Sequence, residues 1–250
     1  MKILANIPGG LKLLNSLKYM NKNKKIIEDA VLSGDAERER EYILKSTSVW
    51  GKMVFDMFGS SLTVYGKENL PQHGPVVFIG NHQGYADIIA YCAAMTNFQF
   101  GFVAKEELSK IPFFGKWIAR IRSVFIERDD PRASLKAIKK GIEYISEGYS
   151  LVIFPEGTRS KGPDPGPFMK GSTKLATKPG VPIVPVSLQG TYRMFEEEGC
   201  IRGTDISIMI HEPIETAGMS REDEKFLSDR VEKIVVDGVR ELQEREKSKQ

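Results

Sequence analysis

The sequence has few of the residues that mark disulfide-rich, metal-binding or membrane-spanning proteins. Only two of its 250 residues are cysteines, which is too few for a disulfide framework and fits a reduced compartment. Its three histidines lie far apart and lack the spacing of metal ligands, so we expect no metal site. No apolar run approaches the roughly 18–20 residues of a spanning helix, and the lysine-interrupted N-terminus does not resemble a secretory signal.

Missing motifs narrow the possible chemistry further. The chain has no G-x-S-x-G elbow, no phosphate-binding P-loop and no G-x-G-x-x-G, which disfavours a serine hydrolase and a dinucleotide enzyme. A net charge of only +3 argues against a dedicated nucleic-acid-binding protein. The hydrophobic content of 41% is enough for a sizeable core, in one large domain or in one domain with an appendage.

Positive charge is concentrated at the N-terminus. Residues 1–27 contain six lysines and no acidic residue, and their leucines are spaced along one stripe of a helix. The sequence PGG at 8–10 is expected to break this helix near its start. A second apolar helical segment, rich in aromatic residues, follows at 49–58. By its own sequence, segment 1–58 is either an interfacial membrane anchor or a helical hairpin that packs on the core.

The middle of the chain alternates between strand-like and helix-like segments. Strands are predicted at 62–66, 76–80, 99–104, 123–127, 150–154, 181–189 and 205–211. Helices are predicted at 87–95, 113–121, 131–147, 167–178 and 220–247. This alternation predicts an α/β fold with a mostly parallel, mixed sheet flanked by helices. Ligands of such folds gather at the carboxyl ends of the strands, where several polar, glycine-containing loops are expected to meet.

One of these loops contains a histidine and an aspartate in the sequence NHQGYAD (81–87). Five positions on a continuous helix rotate by about 500°, so His82 and Asp87 would not share a helical face. They can meet if His82 lies in a loop bent at Gly84 and Asp87 opens the following helix. An aspartate bonded to one imidazole nitrogen fixes the tautomer and makes the other nitrogen a better base. Taken alone, the pattern is more typical of a helix cap beside a loop histidine.

A second loop, FPEGTRS (154–160), follows a predicted buried strand. Arg159 offers a planar fork that matches phosphate oxygens, and Gly157 lets a backbone approach a ligand closely. The structural alternative is an ion pair between Glu156 and Arg159. Lys105, which follows the strand at 99–104, is a further candidate for a phosphate contact, although a lone lysine is more often solvated.

Five segments, taken in order, resemble a known family. They are NHQGYAD (81–87), AKEELSKIPFFGKW (104–117), SVFIERDD (123–130), FPEGTRS (154–160) and VPIVPVSL (181–188). Together they resemble the glycerolipid acyltransferases, specifically the 1-acyl-sn-glycerol-3-phosphate acyltransferases, over residues 62–212. The resemblance implies transfer of a fatty acyl group to the sn-2 hydroxyl of lysophosphatidic acid, giving phosphatidic acid. The donor would be an acyl thioester of acyl carrier protein or coenzyme A, used as a co-substrate with no cofactor.

The resemblance also implies roles for the site residues. His82 would be the general base, and Asp87 would orient it. Lys105 and Arg159 would hold the phosphate of the acceptor.

Further members of the implied acceptor site are Glu156 and Gly157. Arg128 matches a family arginine that contacts or supports the phosphate site. Many relatives have glycine six positions before that arginine, where this chain has Arg122. This departure puts the backbone and the acceptor contacts at 120–128 in question.

Finally, the resemblance favours membrane docking for the N-terminus. Both the acceptor and the product would be membrane lipids, so residues 1–58 are predicted to be an amphipathic docking motif and 59–250 the acyltransferase domain. The predicted partners are lysophosphatidic acid, the thioester carrier and an anionic membrane surface, with no nucleic acid. The predicted location is peripheral, on the cytoplasmic face of the cell membrane. Glycerol 3-phosphate or another lysophospholipid as acceptor, a non-catalytic membrane module and a thioester hydrolase stay open as alternatives.

Overall fold

Seven strands form one sheet in the computed structural model, which describes residues 2–127 and 130–248. They are β1 (Ser61–Tyr65), β2 (Val77–Gly80), β3 (Phe100–Lys105), β4 (Val124–Ile126), β5 (Ser150–Ile153), β6 (Ile183–Gln189) and β7 (Asp205–Ile210). Their order is β1-β7-β6-β2-β5-β3-β4. Neighbouring strands run parallel except for β6 and β7, which run antiparallel. The predicted α/β fold with a mostly parallel, mixed sheet is therefore confirmed.

The described residues contain eight α-helices. They are α1 (Lys2–Met20), α2 (Lys24–Ser33), α3 (Ala36–Phe58), α4 (Ala86–Ala94), α5 (Phe114–Arg120), α6 (Pro131–Ser146), α7 (Lys174–Thr177) and α8 (Arg221–Lys247). Within this part of the chain, none combines the length and the apolar content that crossing a bilayer requires.

Apolar side chains cover both faces of the sheet because successive residues of a strand point to opposite sides. Phe78 and Val152 belong to one buried cluster, which also receives side chains from α1, α3, α4 and α5. Val77, Ile79 and Leu151 belong to the second cluster, which α6 and α8 cover. The sheet is thus the middle layer of three, and the loops at its carboxyl edge are left for a functional site.

Two helix predictions were wrong. The helix α1 is continuous through Pro8 because its start is held from outside: Asn6 bonds to the backbone of the 199–201 loop, and Gly9 lies against Ile201. Proline removes only one intrahelical hydrogen bond, which these contacts offset. The helix predicted at 167–178 is reduced to α7, since the amides of Ser172, Lys174 and Leu175 close local turns onto the residue three positions back instead of making the i→i−4 bonds of an α-helix.

Residues 1–58 contribute to the core and also leave an apolar stripe exposed. Trp50 of α3 is buried and lies 5.5 Å, ring to ring, from Trp117. On α1, by contrast, Ile7, Leu11 and Leu14 are exposed at the i, i+4, i+7 spacing of one helical face. The packing expected of a helical hairpin and the apolar face expected of a membrane anchor therefore occur together, and the docking role stays a prediction.

Candidate active site

Three loops meet at the carboxyl edge of the sheet, after β2, β5 and β6. Ser160, from the loop after β5, donates its amide hydrogen to the carbonyl of His82 at 2.8 Å. The side chain of Gln83 bonds both to Gln189 at the end of β6 (3.0 Å) and to the hydroxyl of Thr191 (3.1 Å). Parallel strands end on the same side of a sheet, so this convergence follows from the topology.

His82 and Asp87 are in direct contact. The Nδ1 atom of His82 lies 2.5 Å from Oδ2 of Asp87, which is fully buried in the first turn of α4. The same oxygen accepts the amide hydrogen of Gly84 at 3.0 Å, so Asp87 closes the loop as well as binding the ring. The imidazole stacks on Phe154 at 4.3 Å, and the histidine side chain keeps 17% of its surface exposed. Because Nδ1 is occupied, Nε2 is the nitrogen left for a reacting group.

The side chain of Glu156 holds the His82 loop through a hydrogen bond to the backbone of that loop. Its Oε1 accepts the amide hydrogen of His82 at 2.6 Å, and its Oε2 accepts that of Gly166 at 2.7 Å. Burial raises the pKa of Glu156 above its usual value, although the two amide donors and His82 oppose this rise. The ion pair with Arg159 that the sequence offered as an alternative does not form, because Arg159 pairs with another carboxylate.

The partner of Arg159 is Glu196, from the loop after β6. Its Oε1 lies 2.7 Å from Nη1 of Arg159, and Cζ of the guanidinium lies over the Tyr85 ring, 3.7 Å from the ring centroid. The side chain of Arg159 is 24% exposed and that of Glu196 only 3%. Gly157, two residues earlier, adopts the left-handed backbone (φ 70°) and has Met169 where a side chain would lie. The glycine therefore serves the turn that carries Arg159.

Lys105, another predicted phosphate contact, pairs with Glu107 and not with a residue of these loops. Lys105 is 54% exposed at the end of β3 and pairs with Glu107 at 2.6 Å. Two strand spacings separate β3 from β2, which corresponds to about 10 Å. Arg128 falls outside the described residues.

Arg122 points away from the site and into the N-terminal helices. Its backbone is left-handed (φ 63°), a conformation that glycine adopts at low cost. Its guanidinium makes two bonds, of 2.6 and 2.7 Å, to Glu39 of α3, which is 2% exposed and also accepts the hydroxyl hydrogen of Tyr149. The arginine thus takes the place of a turn glycine and ties the turn to α3.

An apolar cleft begins beside the His82 loop. It has a volume of about 360 Å³, and Tyr85 and Ala86 are among the residues that line it. Ile88 and Ile89 of α4 and Leu14 of α1 also line the cleft. The cleft is suited to a flexible hydrocarbon chain, since none of the described residues that line it is charged.

The geometry can be compared with known proteins. Residues 61–189, slightly more than half of the chain, match the family model described as Acyltransferase. The chain belongs to the acyltransferase family. It is 37% identical to a chloroplastic 1-acyl-sn-glycerol-3-phosphate acyltransferase of Brassica napus, over 60% of this chain and 44% of the relative. It is also 37% identical to the Borreliella burgdorferi protein of that name, over 61% of this chain and 60% of the relative.

A solved structure extends the comparison to almost the whole chain. The crystal structure of the 1-acyl-sn-glycerophosphate acyltransferase PlsC from Thermotoga maritima aligns with a TM-score of 0.74 and 31% identity. The alignment covers 94% of this chain and 97% of PlsC, so the acyltransferase fold is shared throughout. The chain spans about half the length of the two curated relatives above.

Two residues of the candidate site, Asn81 and Glu196, were not singled out by sequence. Asn81 bonds through both atoms of its amide to the backbone of Leu188, at 2.9 and 2.8 Å, and so continues the pairing of β2 with β6. Glu196 lies 37 residues beyond Arg159, in the acidic run 196–198, and no local pattern separates it from its neighbours. Gly84 was predicted to permit a bend, but its backbone is not left-handed. Instead, a side chain at 84 would come within 2.4 Å of Glu196 Oε2, so the missing side chain makes room.

Proposed function

We propose that this protein transfers a fatty acyl group from a thioester to the sn-2 hydroxyl of 1-acyl-sn-glycerol 3-phosphate, giving phosphatidic acid. The observation that carries the proposal is the contact between His82 and a fully buried Asp87, next to a partly exposed arginine and an apolar cleft. The names of the similar proteins support the same reaction.

The reaction follows from the free nitrogen of His82. With Nδ1 held by Asp87, Nε2 removes the proton of the acceptor hydroxyl as that oxygen attacks the thioester carbonyl. The tetrahedral intermediate then collapses, the carbon–sulfur bond breaks, and the thiol leaves with the proton. A positioned base contributes typically about 10²–10⁴-fold to such a step because a neutral alcohol is a poor nucleophile. No cofactor takes part in this proposal.

Arg159 is the proposed contact for the phosphate of the acceptor. Glu196 takes one of its N–H donors, and a guanidinium carries five, so others are left for phosphate oxygens. Lys105 adds a positive charge about two strands away, at a distance where it acts by attraction rather than in the same bidentate contact. Glu156 and Gly157 hold the loops in place around the acceptor.

The apolar cleft is the proposed binding site for an acyl chain. Tyr85 and Ala86 line the cleft and follow His82 by three and four residues, so we expect an acyl chain bound there to hold its reactive end near the base. The helix α1 is proposed to dock on an anionic membrane surface. It would do so through the exposed stripe of Ile7, Leu11 and Leu14 and the exposed lysines Lys12 and Lys18. Peripheral binding on the cytoplasmic face would give access to the lipid acceptor.

The test is a panel of donors and acceptors with the purified protein. Thiol release and lipid products are measured with acyl–acyl carrier protein and acyl-coenzyme A, each with lysophosphatidic acid, glycerol 3-phosphate and a second lysophospholipid. We expect thiol release that depends on lysophosphatidic acid and yields phosphatidic acid. Release without any acceptor would indicate a thioester hydrolase, and preference for another acceptor would replace the proposed substrate.

The variant His82→Ala should lose about 10²–10⁴-fold in turnover while keeping its circular dichroism spectrum. His73→Ala is the matched control, because His73 is an exposed loop histidine at the other end of the sheet. Near-normal turnover by His82→Ala would rule out its role as the base.

A further inference from the structure

A buried carboxylate connects the two halves of the site. The Oε1 atom of Glu196 accepts a hydrogen bond from the Tyr85 amide at 2.9 Å and another from Arg159 Nη1 at 2.7 Å. Tyr85 belongs to the loop that carries His82, and Arg159 is the proposed phosphate contact. One oxygen atom therefore sets the distance between the base-bearing loop and the arginine.

The arginine is held from two sides. Glu196 binds Nη1 of the guanidinium, while Cζ of the guanidinium lies over the Tyr85 ring at 3.7 Å from its centroid. An arginine fixed in this way has already lost most of its rotamer freedom, so binding a phosphate requires little further ordering. With 24% of the side chain still exposed, the remaining donors can reach a ligand.

Fold stability alone does not account for this arrangement. Oε2 of Glu196 is buried without a hydrogen-bond partner among the described residues, which is unfavourable for a carboxylate. Residue 84 of the His82 loop is glycine, and a Cβ atom at this position would lie 2.4 Å from that oxygen. A buried carboxylate oxygen without a partner is a local cost to stability, and such costs are typical of functional sites.

We propose that Glu196 is a positioning residue for the acyl acceptor. It fixes Arg159 relative to the His82 loop, so that when the phosphate binds Arg159 the acceptor hydroxyl lies within reach of Nε2. This inference rests on the proposed acyl transfer to a phosphate-bearing acceptor. Glu196 acts by fixing the position of Arg159 and not by its negative charge, because a carboxylate beside Arg159 weakens the attraction of that arginine for phosphate.

A positioning role and an electrostatic role of Glu196 predict different results for the variant Glu196→Gln. Glutamine keeps a carbonyl oxygen that accepts both hydrogen bonds, so Glu196→Gln should leave the KM for lysophosphatidic acid within about threefold of wild type or lower it. Alanine removes the acceptor oxygen, so Glu196→Ala should raise that KM by about 10- to 100-fold, the effect of losing a charge-assisted hydrogen bond. The KM for the thioester should not change. Glu198→Ala is the matched control, since Glu198 is 54% exposed and pairs with Arg202 at the surface.

A merely structural role is distinguished by two further measurements. Glu196→Ala should add little to the KM defect of Arg159→Ala if it acts through that arginine, whereas independent effects would add. With 1-acylglycerol, an acceptor that lacks the phosphate, Glu196→Ala should behave like wild type. If Glu196→Ala does not fold, Glu196→Asp replaces it, because its shorter side chain withdraws the oxygen from both donors and should raise the same KM.

An unchanged acceptor KM in Glu196→Ala, or an equal defect in the alanine and glutamine variants, would overturn the inference while the proposed function stands. If the wild-type protein transfers no acyl group to lysophosphatidic acid, both fail. The wild-type and Glu198→Ala rates separate these two outcomes.

Discussion

Replacing Glu156 with glutamine tests how the His82 loop is held. The two side chains have nearly the same shape, but a carboxylate accepts with both oxygens and an amide with only one. Glu156 uses both oxygens, toward the backbone amides of His82 at 2.6 Å and of Gly166 at 2.7 Å. In Glu156→Gln, one of these amides must face an NH₂ group and loses its acceptor.

The magnitude follows from these two contacts. A hydrogen bond to a charged group is worth about 1.5–3 kcal/mol, and one of the two is lost. Removing the charge offsets part of this loss, because burial already raises the pKa of Glu156 and disfavours its ionised form. We therefore expect a net loss of about 1–2 kcal/mol in the free energy of unfolding. The melting temperature should then fall by about 2–4 °C for each kcal/mol.

The kinetic effect distinguishes a loop-holding role from direct substrate binding. A shift of about 1 Å in the His82 loop can reduce kcat by about 10²-fold, so we expect kcat to fall at least tenfold. The KM for lysophosphatidic acid should stay within about threefold of the wild-type value. Moving a group that acts only in the transition state, such as the His82 base, lowers kcat and leaves substrate binding unchanged. Steady-state acyl transfer and urea denaturation measure both effects. Glu143→Gln is the control, because Glu143 is exposed on α6.

A raised KM with unchanged kcat would refute this reasoning and return Glu156 to the acceptor-binding role that the family resemblance implied. Unchanged stability together with unchanged kcat would show that the two amide contacts contribute neither to the free energy of unfolding nor to turnover.

Two other predictions concern Arg122 and the exposed stripe of α1. Arg122→Gly removes the partner of the buried Glu39, which should destabilise the fold by about 3–5 kcal/mol. It also relieves a left-handed backbone, which should stabilise the fold by about 1–2 kcal/mol. Urea denaturation should therefore show a net loss of about 1–4 kcal/mol in the free energy of unfolding. Adding Glu39→Gln removes the unpaired charge and should restore stability, whereas further destabilisation would contradict this account. Replacing Ile7 and Leu11 with serine should weaken sedimentation with anionic vesicles by at least tenfold, because each buried leucine-sized side chain contributes about 1.5–3 kcal/mol. Leu135→Ser, which alters a similarly exposed leucine on α6, is its control, and equal sedimentation of all variants would contradict docking through α1.

The His82 loop shows what local patterns predict well. An apolar run of strand length followed by a polar, glycine-containing loop and a second apolar run predicted a strand, a turn and a helix, and the structure has β2, the loop and α4 in those places. The same residues limited the ways in which His82 could meet Asp87, and the contact forms as predicted, across the loop. These features depend on residues within about ten positions of each other, so backbone geometry and burial determine them.

The two helix predictions failed where distant contacts outweighed local preference. Pro8 and the two glycines that follow it favour a break, yet α1 continues because the 199–201 loop holds it. At the start of the segment 167–178, the amides of Phe168 and Met169 bind Glu232 and Pro155, which lie in other segments. The residues that follow form local turns, and only α7 is helical. Helix propensity is a weak preference that tertiary contacts routinely override.

The sequence by itself determined the strand and helix pattern, the α/β fold class, and a loop geometry that allows His82 to meet Asp87. Only the tertiary structure decided that Arg159 pairs with Glu196 rather than with Glu156, and that Lys105 lies apart. The order of the strands causes this difference: β6 lies next to β2, which brings the loop after β6 beside the His82 loop, whereas β5 separates β3 from β2. Strand order depends on which faces pack together over the whole chain, and no spacing within a single motif encodes it.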